Sequence, residues 1–376
     1  MTNPATGPAP SWDAAGFRDR VQAALDAFLD EQADRLAPLG PDAARLLAEA
    51  RASVSGGKRF RAAFCYWGYH SVKRPIDDAT HDAGDGAGHG TGDEALVRAC
   101  AALELLHASA LVHDDYMDAS QTRRGRPATH RGFAEEHRRD RWRGDPDQYG
   151  AAAAILLGDL LLSWSDEMLR HCGLPQDRVT AALDIYDRCR SEVITGQFLD
   201  VSVQARGIAD VDAAMTVLRY KSAKYSIERP LHIGATLAGA DQDHLNRLTA
   251  YGLPLGEAFQ LRDDLLGVYG DPATTGKPAG DDLIEGKRTV LVALALDNAP
   301  TPDAARLDTA LGTHLDPTQI ADLRQIIDDS GAHAQVETVI TDLATRATTA
   351  LHAADINQHA RDVLLDLAAA ATDRLH

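Results

Sequence analysis

Aromatic residues make up only 5% of this 376-residue chain, and basic residues are outnumbered, 38 Lys and Arg against 56 Asp and Glu, for a net charge of −18. Such a surplus of negative charge argues against a nucleic-acid binder, whose affinity comes from neutralising phosphates. It leaves room for a small phosphorylated substrate, because a local basic cluster with a metal overrides the global charge. Cysteine is scarce, with four residues (Cys65, Cys100, Cys172, Cys189) and no CxxC spacing. Scattered in this way, they read as buried thiols of a reducing compartment rather than a disulfide framework or a metal site. The opening MTNPATGPAPSWDAAGF has no basic start followed by an apolar run, so no signal peptide is expected and a cytoplasmic location is. The longest apolar run in sight, Ala151–Trp164, is too short to span a bilayer and is interrupted by Asp159, so stable membrane insertion is not expected either. Alternating β-branched runs are lacking as well, which leaves little material for a sheet. The chain is nonetheless 44% hydrophobic, ample for a core and too much for a disordered chain.

Alanine and leucine at helical spacing fill most of the remainder. Within Glu94–Asp118, Leu96, Cys100, Leu103, Leu106, Ala110 and Leu111 share one side while Leu105 and Val112 lie on another. Apolar cover on several faces predicts a helix in the middle of a bundle. Tyr149–Cys172, Asp177–Ala205, Val211–Tyr225 and His244–Tyr269 read alike, with Gly and Pro between them. Amphipathic helices are expected at Ala304–Leu311, Pro317–Asp328, Ala334–Ala354 and Val363–Leu375. Asp77–Asp93, rich in Gly, Asp and His, reads as a surface loop. The charged Arg131–Gln148 reads as a connection. With no linker and no repeat, one all-α domain spanning 1–376 is the simplest account, its motifs between 54 and 292 and further helices over 303–376.

The chemistry gathers at helix ends. In LVHDDYMDASQTRRGRP, Asp114 and Asp118 are four apart on one face, with Asp115 beside them. Three carboxylates closing an apolar helix repel one another unless cations neutralise them, and hard oxygen ligands suit Mg²⁺. Arg123, Arg124 and Arg126 follow at once, a cationic fork suited to phosphate oxygens. A solvated acidic helix end is the plainer reading of the three acids, but the helix before them is too apolar for the surface. A second pair, Asp263 and Asp264 in FQLRDDLLGVYGDP, lacks a third acid at i+4, where Gly267 stands. Fewer protein ligands and more water are expected there. Basic groups recur in SGGKRFR (Ser55–Arg61), read as a glycine turn feeding a helix whose first turn carries three cations, with Lys58 and Arg61 adding charge to an anion site. They recur in KSAKY (Lys221–Tyr225) and in GKPAGDDLIEGKR (Gly276–Arg288). Two acidic clusters and four basic ones suggest metals clamping a diphosphate, with a second anion held by basic residues alone.

With these motifs in this order, the chain resembles the trans-isoprenyl diphosphate synthases of the polyprenyl synthetase family, most closely the bacterial geranylgeranyl diphosphate synthases. GGKRFR, LLHASALVHDDYMDASQTRRGRPATH, GQFLD, KSAKY, FQLRDD and GKPAGDDLIEGKRT carry the likeness over roughly residues 54–292. It implies an all-α helical bundle of the isoprenoid synthase type with a central active-site cavity, and a homodimer. It implies three Mg²⁺, with Mn²⁺ as a substitute: Asp114, Asp115 and Asp118 bind two, Asp263 and Asp264 a third, and Asp200 lies among the metal-side acids beside Gln197. Arg123, Lys221, Lys277 and Lys287 would contact the allylic diphosphate. Gly57, Lys58, Arg61, His107 and Arg124 would hold isopentenyl diphosphate without metal. Ser222 would keep a hydroxyl near the reacting carbon, and Gln260 would support the second acidic pair.

Small residues at Ser109 and Ala110, a turn before Asp114, imply a pocket open to a twenty-carbon product, with Leu105 and Leu106 as candidate floors. A fifteen-carbon or longer product remains an alternative. A class I terpene cyclase would share the first acidic motif but would not need GGKRFR or this second pair. A non-catalytic prenyltransferase subunit would be expected to have lost an acidic motif, and none is lost here.

Overall fold

The computed structural model describes residues 12–73, 89–271 and 280–372. Among them the strands amount to one two-residue pair, Thr122–Arg123 with Arg126–Pro127, and the rest is helix and turn. In chain order come α1 (Ala14–Leu36), α2 (Pro41–Ser53), α3 (Phe60–Ser71), α4 (His89–Met117), α5 (Thr129–Arg139), α6 (Pro146–Arg170), α7 (Gln176–Ala205), α8 (Val211–Val217), a π-helical segment (Leu218–Glu228), α9 (Arg229–Leu237) and α10 (Gln242–Tyr269). Further helices cover Asp281–Glu285, Val290–Asn298, Thr301–Ala310, Pro317–Asp329, Ala332–Ala353 and Gln358–Thr372. The all-α expectation holds.

Short polar side chains set several starts. Asp145 accepts from the Asp147 amide with Pro146 in the first turn of α6, and Asp241 accepts from the His244 amide at 2.8 Å to open α10. α4 is the central helix, because its apolar residues look outward on every side and each side meets a neighbour: Leu96, Leu103, Leu105 and Leu106 are all buried. Its stretch Gly92–Met117 is also long and apolar enough to cross a membrane, longer than the 151–164 run that the sequence brought forward, and 78% of its most apolar window is buried within the bundle.

Three local expectations need correction. Arg131–Gln148 is not all connection: α5 occupies its first part, since Phe133, Ala134 and His137 form a buried stripe under the charges. The segment 77–93 turns helical from His89, and residues 77–88 lie outside the described ones. Val211–Tyr225 is a short α-helix that widens into π-helix at Leu218.

Close approaches of backbone fix that π-helical segment. A side chain at Gly196 of α7 would strike the backbone at Tyr220–Lys221, and one at Gly256 of α10 would strike the Ala223 carbonyl. The segment is therefore clasped between α7 and α10, and Lys221 is aimed by rigid neighbours on both sides. Apolar packing forms two clusters that meet along α10. One contains Tyr251, Leu255 and Phe259 and extends into α1–α4, α6, α7, α9 and the last helix. The other contains Ala258, Leu261, Leu265 and Val268 and extends into the helices from Asp281 to Ala353.

Candidate active site

A cavity of about 1060 Å³ opens among α3, α4, α7, the π-helical segment and α10. Both acidic helix ends face it, with Asp114 on one wall and Asp263 and Asp264 on another.

At the first end, α4 stops at Met117, but the Asp118 amide still bonds to the Asp114 carbonyl at 2.8 Å, which keeps the i, i+4 register of the acids. Each acid has its own cation. Lys221 Nζ lies 3.1 Å from Asp114 and 2.6 Å from Asp200, and Gln197 donates to Asp114 at 3.0 Å. Arg123 Nε donates to Asp115 at 2.8 Å and its guanidinium lies 3.7 Å from Asp114. Lys287 Nζ lies 3.2 Å from Asp118 and 2.6 Å from Glu285. Burial alone would raise Asp114, but Lys221, Lys287 and Arg123 overcome it and hold its carboxyl below the ordinary range. Asp115 is 3% exposed and is taken by Arg123 behind the wall, so it does not line the cavity, and neither does Asp118.

The arginine fork splits. Arg124 (φ +51) and Gly125 (φ +73) form the tight turn between the two short strands, and such left-handed pairs throw flanking side chains apart. Arg123 turns to the acids. Arg124 donates to the Ser55 carbonyl at 2.9 Å and rests against Gly57, whose φ of +98° suits glycine. Arg126 lies half-exposed by Glu49, 3.4 Å away and off the cavity.

The basic turn is also rearranged. α3 starts at Phe60, so Lys58 and Arg59 precede it and Arg61 alone of the three cations sits in its first turn. Arg59 is buried in an ion pair with Glu104 at 3.2 Å, where it pins the turn instead of facing the cavity centre. Arg61 lies over the Tyr225 ring at 4.2 Å and donates to Ser226 at 2.7 Å, while its buried Nε donates to no described group. His107 Nδ1 pairs with the Tyr225 hydroxyl at 2.7 Å. Burial and the nearby Arg61, Arg124 and Arg123 lower the His107 pKa well below the usual range, so the ring is neutral. Gly57, Lys58, Arg61, His107 and Arg124 all line the cavity, on a basic wall distinct from the acidic ends.

At the second end, α10 runs to Tyr269, as the periodicity of His244–Tyr269 predicts, and Asp263 and Asp264 lie near its end. Gln260 donates to Asp264 at 2.8 Å. Burial raises Asp264 to about 8, and the neighbouring Asp282 and Asp263 add to the shift. Asp118 is raised to about 6, again by burial first and then by Asp114. Carboxylates pushed toward protonation in this way are short of positive charge. Hard oxygen donors in that condition fit divalent cations of the Mg²⁺ type, which would favour their ionised forms. Lys287, Ser222, Gln260, Gln197 and Asp200 line the same space. Lys277 lies outside the described residues.

Below the acids, Ser109 and Ala110 line the cavity, and Ser109 donates its hydroxyl to the Gly158 carbonyl at 2.7 Å. Leu106 lines it too, whereas Leu105 points into the packed core and is no floor. Glu104, Asp282 and Glu285 escaped the residue-by-residue reading. The last two lie inside a motif noted for its lysines, and an acid two residues before Lys287 was the available signal.

The comparisons agree with this geometry. A family model described as Polyprenyl synthetase matches residues 44–330. The chain is 30% identical over 323 residues to the short chain isoprenyl diphosphate synthase of Methanothermobacter thermautotrophicus, covering 86% of this chain and 88% of that protein. It is 34% identical over 215 residues to the geranylgeranyl diphosphate synthase of Sulfolobus acidocaldarius, covering 56% and 60%. Among solved structures, the geranylgeranyl pyrophosphate synthase from Corynebacterium glutamicum, complexed with isoprenyl diphosphate and magnesium, is similar at a TM-score of 0.89 and 38% identity, over 97% of this chain and 100% of that one. Sequence motifs, cavity walls and relatives converge, and the chain belongs to the polyprenyl synthetase family.

Proposed function

We propose that this protein is a prenyltransferase that joins isopentenyl diphosphate to an allylic diphosphate (dimethylallyl, geranyl or farnesyl) and makes geranylgeranyl diphosphate. One observation carries the reading: a single cavity has two acidic helix ends with interleaved lysines on one side and, on the other, a cationic wall whose acid, Glu104, is already paired with Arg59. That is the arrangement required to treat two diphosphates differently.

Asp114 and Asp118 on one side and Asp263 and Asp264 on the other would hold Mg²⁺, three ions by family resemblance, with Asp115 and Asp200 supporting them and Mn²⁺ able to replace it. Bound there, the ions supply Lewis-acid neutralisation of the leaving group. Lys221, Arg123, Lys287 and Lys277 add donors to the allylic diphosphate as charge develops on it. The allylic C–O bond breaks and pyrophosphate leaves with the electron pair. Gln197 and the hydroxyl of Ser222 stand where the cation forms. Gly57, Lys58, Arg61, Arg124 and the neutral His107, its Nδ1 paired with the Tyr225 hydroxyl, hold isopentenyl diphosphate so that its double bond attacks. A new C–C bond forms, and the proton lost from the adduct goes to the departing pyrophosphate. Apolar walls at Leu106, Leu111 and Phe259 keep water from the cation.

The chain would act as one domain in the cytoplasm and as a homodimer. Ile155 and Leu156 on α6 are exposed large apolar residues, Leu156 at 61%, of the kind a second copy would cover.

Purified protein with Mg²⁺, isopentenyl diphosphate and an allylic diphosphate is expected to release pyrophosphate and lengthen the prenyl chain. Hydrocarbon formed without consumption of isopentenyl diphosphate would indicate a cyclase instead, and no product would indicate a scaffold subunit. Ser109→Phe is expected to shorten the main product by one five-carbon unit, read by chromatography. An unchanged product would refute the pocket-floor reading.

A further inference from the structure

Gly267 occupies the i+4 position from Asp263, on the cavity side of α10, where a third carboxylate would complete the second acidic set. A bare glycine there would leave that set one acid short. The space is not bare, however. A Cβ built on Gly267 would overlap the carboxylate of Asp282, which reaches in from the short helix Asp281–Glu285. Asp282 is 8% exposed, lines the same cavity as Asp263 and Asp264, and has Lys287 Nζ 3.6 Å from its Oδ1. Lys287 in turn reaches Asp118 at the first acidic end. A carboxylate from one element therefore stands where a side chain of another would be, and the glycine is what lets it in.

We infer that Asp282 is the third acid of the second metal site, supplied from the loop side in exchange for the residue missing at Gly267. This deepens the proposed function and rests on it. The chemistry is that of a hard divalent cation held between protein carboxylates and a diphosphate. Because Asp282 belongs to the segment that carries Lys287, metal and diphosphate together would tie that segment to α10.

The test is calorimetric binding of inorganic pyrophosphate to the full chain at stepped Mg²⁺ concentrations, with no turnover involved. Wild type is expected to require Mg²⁺. Asp282→Asn is expected to raise the half-saturating Mg²⁺ concentration by ~10–100-fold, the range for loss of a supporting metal-site group. Binding at saturating Mg²⁺ and metal-free binding of isopentenyl diphosphate should change little. Gly267→Asp should also raise the Mg²⁺ requirement, because the new side chain collides with Asp282. Gly267→Asp combined with Asp282→Ala should return it toward wild type, because the third acid then comes from α10. An unchanged Mg²⁺ requirement in Asp282→Asn would overturn the inference, as would a double variant no better than Gly267→Asp. Weakened binding at saturating Mg²⁺ with no shift in requirement would mean that Asp282 serves only to place Lys287, and would also overturn it. Metal-independent pyrophosphate binding by wild type would remove the proposed function itself, and this inference with it.

Discussion

The two acidic helix ends look alike as strings and differ as sites. At the end of α4 every carboxylate has its own partner: Asp114 has Lys221, Asp115 has Arg123, and Asp118 shares Lys287. At the second end Asp264 accepts an amide hydrogen bond from Gln260 while Asp282 and Asp263 crowd it, and burial with those acids raises its pKa to about 8. Asp114 moves the opposite way, below the usual range, under Lys221, Lys287 and Arg123. The same chemistry is thus kept in two states. At the first end Lys221 and Arg123 neutralise Asp114 and Asp115, and Asp118 is raised to about 6. At the second end Asp264 is raised further, to about 8. A divalent cation would relieve both raised acids, the second end's more, while the paired acids of the first end stay ordered.

Activity should show the contrast most strongly. Asp114→Asn removes an acid that positions Lys221 and faces the cavity, and kcat is expected to fall by about 10²–10³-fold. Asp264→Asn, which leaves Asp263 and Asp282 in place, should cost about 10–100-fold. Steady-state pyrophosphate release measures both. Equal losses would mean that the two ends are not specialised.

Stability should separate them by sign. Without metal at pH 9, Asp114→Asn leaves the largely buried Lys221 with one acid fewer and is expected to lower the melting temperature by several degrees. Asp264→Asn removes a charge that the fold opposes and is expected to raise it. At pH 5 the gain should vanish, because Asp264 is already protonated there. Scanning calorimetry decides, and two shifts of the same sign would break the comparison.

The smallest effect is the pH slope of the wild type. Asp264 and Asp118 have folded-state values raised above the unfolded ones, so their protonated forms favour the fold. That contribution is complete below about pH 4 and is lost as pH rises through about 6 for Asp118 and about 8 for Asp264. The metal-free melting temperature is expected to fall by a few degrees between pH 5 and 9. Added Mg²⁺ and pyrophosphate should flatten or reverse the slope, because the bound ions favour the ionised acids. A slope unaffected by Mg²⁺ would show that these acids do not meet the metal.

What the sequence disclosed follows from how local each feature is. Asp114 and Asp118 share a face because the i, i+4 register of α4 persists through Asp118, so spacing alone reveals them. The direction of Arg126 could not be read, since it depends on the left-handed turn at Arg124 and Gly125. Arg59 looked like its neighbours Lys58 and Arg61, and the approach of Glu104 from α4, with Gln22 and the Val54 carbonyl, draws it into the core. Leu105 and Leu106 could not be told apart, because a helix buried on all sides has no polar face to mark its orientation. Asp282 filling the space at Gly267 is a contact between elements some fifteen residues apart, across a loop, which periodicity does not register. The helix under the charges of Arg131–Gln148 was legible in Phe133, Ala134 and His137, but net charge hid it.

The most direct test of the central claim, that both acidic helix ends recruit divalent cations into one shared cavity, is anomalous diffraction from crystals of the protein grown with Mn²⁺ and pyrophosphate. The account predicts manganese beside Asp114 and Asp118 and also between Asp263, Asp264 and Asp282, with the pyrophosphate gripped between the two groups. Pyrophosphate bound in the cavity with no manganese at the α10 end would contradict it.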